Sequence, residues 1–258
     1  MRGVMVVHLL PEVALHYLLA FARLGAICML VPGIGETSVP TRVRLVFAFF
    51  LTLALHPVVT GLYPAGLSKS TPGMLTMLGG ELIVGLFVGM VTRILLAGAQ
   101  VAGATIATQL GLGFAMTVDP TQGQQGVIVG NFLSLAVVTL IFVTDLHLVA
   151  ISAMASSFTL FPPGHWVPSG DFAETAVTLT AESFKVGLQV SAPFLAFGLV
   201  FNLGLGMLQK MMPQFQIYFA AMPLSIGLGL LVFGLVLTAL LGVYLDHVRD
   251  GLMRLVGG

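Results

Sequence analysis

Four stretches of this chain, Leu45 to Ser68, Ile94 to Val118, Val186 to Gln209 and Met211 to Leu245, contain no Asp, Glu, Lys or Arg. Each exceeds the roughly 20 residues with which a helix crosses a bilayer. Backbone placed in hydrocarbon must satisfy its own hydrogen bonds, and long continuous runs do so as helices. The fold class that follows is an all-α integral membrane protein. Composition agrees: 57% of the 258 residues are hydrophobic and 8% are charged, and mean hydropathy is +1.06, more apolar than a soluble core of this size uses. The first apolar run continues to Ile34 without a small-residue cleavage pattern, so it is expected to be retained. Formal charge is zero and there is no basic run, so no nucleic-acid partner is expected. The single cysteine, Cys28, excludes an internal disulfide and any multi-cysteine metal site.

Apolar runs and their breakers predict six helical regions: Val13 to Val31, Val43 to Tyr63, Met74 to Gln109, Val127 to Phe161, Ala173 to Gln209 and Pro223 to Val248. Pro32-Gly33 with Pro40, Pro64-Ala65-Gly66 with Pro72-Gly73, Pro162-Pro163-Gly164 and Met211-Met212-Pro213 mark the breaks. Asp171, with Glu174 three residues on, is expected to cap the fifth region. A continuous helix from Met74 to Gln109 would reach about 54 Å, well past a hydrocarbon core of ~30 Å. Glu81 and Arg93 inside it would each cost about 2.5–3.5 kcal/mol at a lipid-facing helix centre, so both are expected to face protein, water or the interface. Excess length and internal charge together point to helices that bend, project from the bilayer or pack in a multi-chain bundle. Lys and Arg are spread too evenly to orient the chain.

Familiar catalytic signatures are missing: there is no His-Glu-x-x-His, no Gly-x-Ser-x-Gly and no phosphate-binding Gly-x-x-x-x-Gly-Lys. The chain is therefore read as a non-enzyme without cofactor or metal. Its polar residues suit contacts. Asp145 and His147, two apart on a helix, would point to different faces, whereas Glu182 and Lys185 at i and i+3 can pair on one face. His16 and Arg23, seven apart, share one side of the first helix, where both could bond neighbouring backbone or a partner chain. Small residues at Gly85 and Gly89, and at Ala99, Gly103 and Ala107, allow close helix approach, within this chain or against others.

Between two membrane-grade stretches lies Gln109-Leu110-Gly111-Leu112-Gly113-Phe114-Ala115-Met116-Thr117-Val118-Asp119-Pro120-Thr121-Gln122-Gly123. Irregular backbone at membrane depth is tolerated only where it is buried in protein or lines a polar cavity. Gly111 and Gly113 permit positive φ, while Phe114 and Met116 supply adaptable bulk that can fill a lumen. The expected device is a deformable stopper, with Asp119 and Pro120 anchoring its return. Two rival classes remain open. One is a small-molecule secondary transporter with broken helices, which needs a substrate site and internal repeats; the other is a purely structural assembly nucleus.

Several ordered segments resemble the FliR family. They are Val39-Pro40-Thr41-Arg42-Val43-Arg44-Leu45, the glycine turn with Val118-Asp119-Pro120, Asp145-Leu146-His147-Leu148, Ala192-Pro193 through Asn202-Leu203-Gly204-Leu205-Gly206 to Met212-Pro213-Gln214-Phe215-Gln216-Ile217, and Met222-Pro223-Leu224. The likeness runs through nearly the whole chain. Thr108-Gln109-Leu110-Gly111 stands where injectisome members of the family usually carry Asn-Gln-Arg-Gly, so the flagellar branch is the nearer one. Asp145-Leu146-His147 replaces a common Asn-Gly-His, and Phe215 a smaller aliphatic residue.

The resemblance implies a subunit of the flagellar type III export gate in the bacterial inner membrane, at the flagellar basal body. It implies a spiral assembly of long bent helices and hairpins with FliP and FliQ, association with FlhB, and passage of unfolded flagellar proteins. It further implies a FliP-like portion at 1–185 and a FliQ-like hairpin at 186–258. The family's plug loop falls on 109–124, with Gly111, Gly113, Phe114, Asp119 and Pro120 at matching positions. Energy for transport would come from an ATPase and the proton gradient acting through partners. Arg23, Glu81, Arg93, Asp145, His147, Glu182 and Lys185 are the candidates for polar or intersubunit contacts.

Overall fold

The computed structural model describes residues 2–36, 38–64, 71–112, 125–165, 169–212 and 217–257. These form seven α-helices: α1 (Arg2–Leu30), α2 (Thr41–Val59, extended by a 3-10 turn at Thr60–Leu62), α3 (Thr71–Gln109), α4 (Gln125–Val143), α5 (Leu146–Leu160), α6 (Ser169–Met211) and α7 (Ile217–Val256). No strand occurs among the described residues. Five helical segments are long and apolar enough to cross a membrane, and the bent pair α4–α5 makes a sixth. The protein is an all-α integral membrane protein. α3, α6 and α7 have 39, 43 and 40 residues, or about 58–65 Å at ~1.5 Å per residue, roughly twice the hydrocarbon thickness.

Four expected boundaries need correction. The region Val127 to Phe161 is two helices, not one, bent by 82°. The cause is Asp145, which has φ 58° and stands at the start of α5; a left-handed residue cannot continue a right-handed helix, and Asp tolerates that conformation better than most. Asp145 and His147 therefore do not share a helix face or oppose each other across one. Asp171 does not cap α6, which begins two residues earlier at Ser169 and leaves Asp171 in its first turn, where a carboxylate meets the positive end of the helix dipole. α1 begins at Arg2 rather than near Val13. α7 begins at Ile217, with Pro223 inside it; Pro57 and Pro193 likewise sit within α2 and α6, a placement membrane helices accommodate.

The chain divides into two compact units, one comprising Met1–Leu95, Thr144–Leu179 and Arg249–Gly258, the other Leu96–Val143 and Thr180–Val248. In the first, α1 packs against α2 over a core that includes Leu19, Leu24, Ile27, Ala48, Val88 and Phe158. The Gly85-x-x-x-Gly89 pair lets α3 lie directly on α1. A Cβ at Gly85 would stand 2.5 Å from the Arg23 carbonyl oxygen, and one at Gly89 would stand 2.8 Å from Leu30 Cβ. In the second unit, Gly103 of α3 packs onto the backbone of Gly130 in α4. The Ala99 amide donates to the Tyr244 hydroxyl of α7 at 2.8 Å. Both small-residue patterns thus serve packing inside this chain.

Candidate functional site

Arg23 lies in the second half of α1 and Glu81 in the first half of α3, and the first unit buries both, at 1% and 2% exposure. Arg23 Nε donates to Glu81 Oε2 at 2.5 Å and Nη2 donates to Oε1 at 3.0 Å. This is the two-pronged geometry in which guanidinium and carboxylate bond most strongly. Nη1 donates to the Ser157 carbonyl at 2.8 Å. Ser157 lies in the last turn of α5, so the cation also faces the negative end of that helix. The Phe158 ring covers the guanidinium, 4.3 Å from its Cζ. Tyr63 packs edge-on against Phe158 and stacks on His16. Three helices distant in sequence are tied at one point by charge, hydrogen bonds and an aromatic lid.

Beside the pair opens a cleft of about 520 Å³, bordered by Thr76, Gly79, Gly80, His165 and Phe172 among others. Its charged members are already bonded to each other. Among the described residues no group of three or more His, Cys, Asp or Glu side chains gathers to hold a metal ion. Arg93, Asp145 and Lys185 are exposed, and Glu182 and His147 are half-buried.

In the second unit the glycine turn begins as a designed helix stop. Gly111 has φ 79°; its amide donates to the Thr108 carbonyl at 3.1 Å, and the Leu112 amide donates to the Ala107 carbonyl at 3.0 Å. That pair of bonds is the Schellman arrangement, which closes a helix around one left-handed residue. α3 therefore ends where a glycine allows it to end. Next to Gly111 is a chamber of about 50 Å³ with polar walls from Thr108, Gln109, Asn202 and Ser225. Gly113, Phe114, Met116, Asp119 and Pro120 lie outside the described residues.

Several contributors were not visible in the sequence pattern. Glu81 was identifiable as needing company and Arg23 as able to bond, but their pairing across 58 positions was not. The only signal was opposite charge in otherwise apolar runs, which burial tends to pair. Ser157, Phe158 and Tyr244 looked like ordinary span residues. Gln100 also escaped notice; it bonds Asn131 and Ser134 across the α3–α4 contact.

The architecture defines a class: an integral membrane helical protein with helices far longer than the bilayer is thick, an ion pair buried between two candidate spans, and a glycine-stopped end to the third helix. Residues 14–251 match the family described as bacterial export proteins, family 1. The flagellar biosynthetic protein FliR of Caulobacter vibrioides is 40% identical over 236 residues, covering 90% of this chain and 92% of that protein. FliR of Bacillus subtilis is 28% identical, covering 84% and 83%. The Yop proteins translocation protein T of Yersinia pestis is 22% identical, covering 86% and 85%. The chain belongs to the FliR family of bacterial export proteins and is a membrane component of flagellar type III export.

Proposed function

We propose that this chain is a subunit of the flagellar export gate that forms, with FliP and FliQ, the channel through which unfolded flagellar proteins cross the inner membrane. Residues 109–124 act as its plug, and FlhB associates with the assembly at the flagellar basal body. Residues 1–185 form the FliP-like portion and 186–258 the FliQ-like hairpin. The observation that carries the proposal is the end of α3: helix stops at Gly111 between two membrane-grade segments, beside a polar chamber. Backbone leaving a helix at such a place needs protein or a water-lined space around it, and a channel supplies both. Helices of about 60 Å suit an assembly raised partly out of the bilayer. Phe114 and Met116 would obstruct the lumen at rest, and the loop would swing aside about its glycines for a passing chain.

The test begins with affinity purification of the tagged full-length chain from its native membrane in mild detergent. Co-purification of FliP-like and FliQ-like chains is expected; a lone homo-oligomer would count against the proposal. Deleting Leu112 to Met116 should then let small ions leak through the membrane. A tight membrane with an intact complex would leave a structural assembly subunit without a plug. The cleft beside Arg23 and Glu81 favours one other possibility, a small-molecule transporter, which uptake assays on the purified chain would reveal.

A further inference from the structure

Within the second unit the exposed positions of α3 are Ala97, Gln100, Ala104 and Thr108. Steps of three and four residues keep them on one face of the helix. None is a large apolar side chain, whereas α6 and α7 of the same unit expose Leu188, Leu199, Leu203, Leu231 and Leu235 among others. The α3 face is also polar. Gln100 donates to Ser134 Oγ at 2.9 Å and to Asn131 Oδ1 at 3.3 Å, and Asn131 stands exposed on α4. Both N–H groups of Gln100 are used in these bonds, so the Asn131 nitrogen, with two further donors, needs acceptors beyond this trio. Hydrocarbon offers none. Gln100 and Thr108 are about 12 Å apart along the helix, at ~1.5 Å per residue. At Thr108 the strip meets the chamber of about 50 Å³, whose wall Thr108 shares with Gln109, Asn202 and Ser225. A space of that size holds roughly three waters at about 15 Å³ each. No Asp, Glu, Lys or Arg occurs in residues 96–112 or 125–143.

We propose that the strip of Ala97, Gln100, Ala104 and Thr108, with Asn131 beside it, is a water-facing wall of the passage, along which the backbone of an unfolded chain slides. This rests on the channel role proposed above. An unfolded chain carries N–H and C=O groups without partners of its own, and water or polar groups along its way must serve them. A carboxamide offers donors and an acceptor in one group, so Gln100 and Asn131 suit any stretch of backbone whatever its side chains. The two alanines leave width, and a wall without charge holds back neither acidic nor basic segments.

Cys28 is the single cysteine and is wholly buried, so cysteines can be introduced on a silent background. Ala97→Cys, Ala104→Cys and Thr108→Cys mark the strip, while Leu135→Cys, Leu199→Cys and Leu235→Cys mark exposed apolar surface of the same unit. A charged, water-soluble methanethiosulfonate is applied to both faces of native membranes holding the full-length chain. Co-purification of FliP-like and FliQ-like chains measures assembly, and secretion measures function. The strip cysteines are expected to react at least about tenfold faster than the apolar set, because the reactive thiolate forms in water and not against hydrocarbon. An export substrate fused to a domain that stays folded jams the passage and should return the strip to the rates of the apolar set. Equal rates for the two sets, or a strip left unmodified in an assembled and secreting complex, would overturn the wall and mean that another helix covers this face. Fast labelling that the jammed substrate leaves unchanged would overturn it too, placing the water off the route. Failure of the unmodified chain to co-purify with those partners would instead remove the channel reading itself. Ala97 and Ala104 are exposed, so an added sulfur displaces no packed neighbour there, and these two positions decide if Thr108→Cys does not assemble.

Discussion

Replacing Glu81 with Leu tests what the buried pair does. The substitution removes two of the three hydrogen bonds held by Arg23 and its counter-charge. It leaves a guanidinium at 1% exposure with a carbonyl and an aromatic face for company. Breaking a buried pair from one side costs about 3–5 kcal/mol, because the remaining charge is stranded, whereas replacing both partners with apolar residues of similar volume is often neutral or stabilising. Glu81→Leu should therefore lower the thermal midpoint of the full-length chain in mild detergent by roughly 6–20 °C. Glu81→Gln, which keeps an acceptor oxygen, should fall between. Arg23→Met combined with Glu81→Leu should recover to within about 1 kcal/mol of the unmodified chain. A single variant melting with the unmodified chain would show that the guanidinium finds water or another partner. A double variant worse than Glu81→Leu would show that the contacts themselves, not the stranded charge, carry the energy.

Three further outcomes follow from backbone geometry. Gly85→Val should destabilise by at least about 1–3 kcal/mol, since its Cβ would meet the Arg23 carbonyl on a rigid helix. Gly79→Ala, with open space around it, should be neutral or gain roughly 0.5–1 kcal/mol from helix propensity; thermal midpoints of the two variants check the contrast. Gly111→Ala should cost about 1–2 kcal/mol through its positive φ, and Gly111→Asn less, read from the same melts. Asp145→Gly should match or exceed the parent in stability while Asp145→Val loses about 1–2 kcal/mol, because φ 58° penalises a branched side chain. Equal stability of the two Asp145 variants would mean that the bend does not depend on that residue.

Legibility in the sequence followed the range of the interaction. The spans were readable because apolar length is a local property, and the end of α3 at Gln109 was readable because glycines follow it. The bend at Asp145 was missed because Thr144-Asp145 interrupts an apolar run without Gly or Pro; the usable signal was an Asp, a residue that tolerates left-handed backbone, in the middle of that run. Asp171 was taken for the cap although it stands three residues past the cap position, in the first turn, since an acid stabilises that turn much as it does a cap. The close contacts of Gly198 with Gln109 and of Gly229 with Leu110 were beyond reach altogether. In sequence Gly198 and Gly229 look like Gly204 and Gly227, and only the side chain opposite each one distinguishes them.

Hydrophobicity reports exclusion from water, not the identity of the neighbour, and in a membrane that difference matters most. α7 has the highest mean hydropathy of the candidate spans, 2.6, yet only 11% of its most apolar window is buried inside the chain, against 61% for α3 at 2.2. In a soluble fold the most apolar helix would be the innermost. Here lipid tails or neighbouring helices must cover what the chain leaves open, and both are equally apolar. Glycine tells them apart. An exposed helix position gains nothing from Gly against lipid and forfeits about 1 kcal/mol of helix propensity, yet the uncovered surface of α7 carries Gly227, Gly234 and Gly242. Their spacing of seven and eight keeps them on one face, beside the exposed Leu228, Leu231 and Leu235. Close approach by another helix gives those glycines a purpose, so the feature that makes α7 poorly packed as a single chain suits it to the multi-subunit assembly proposed above.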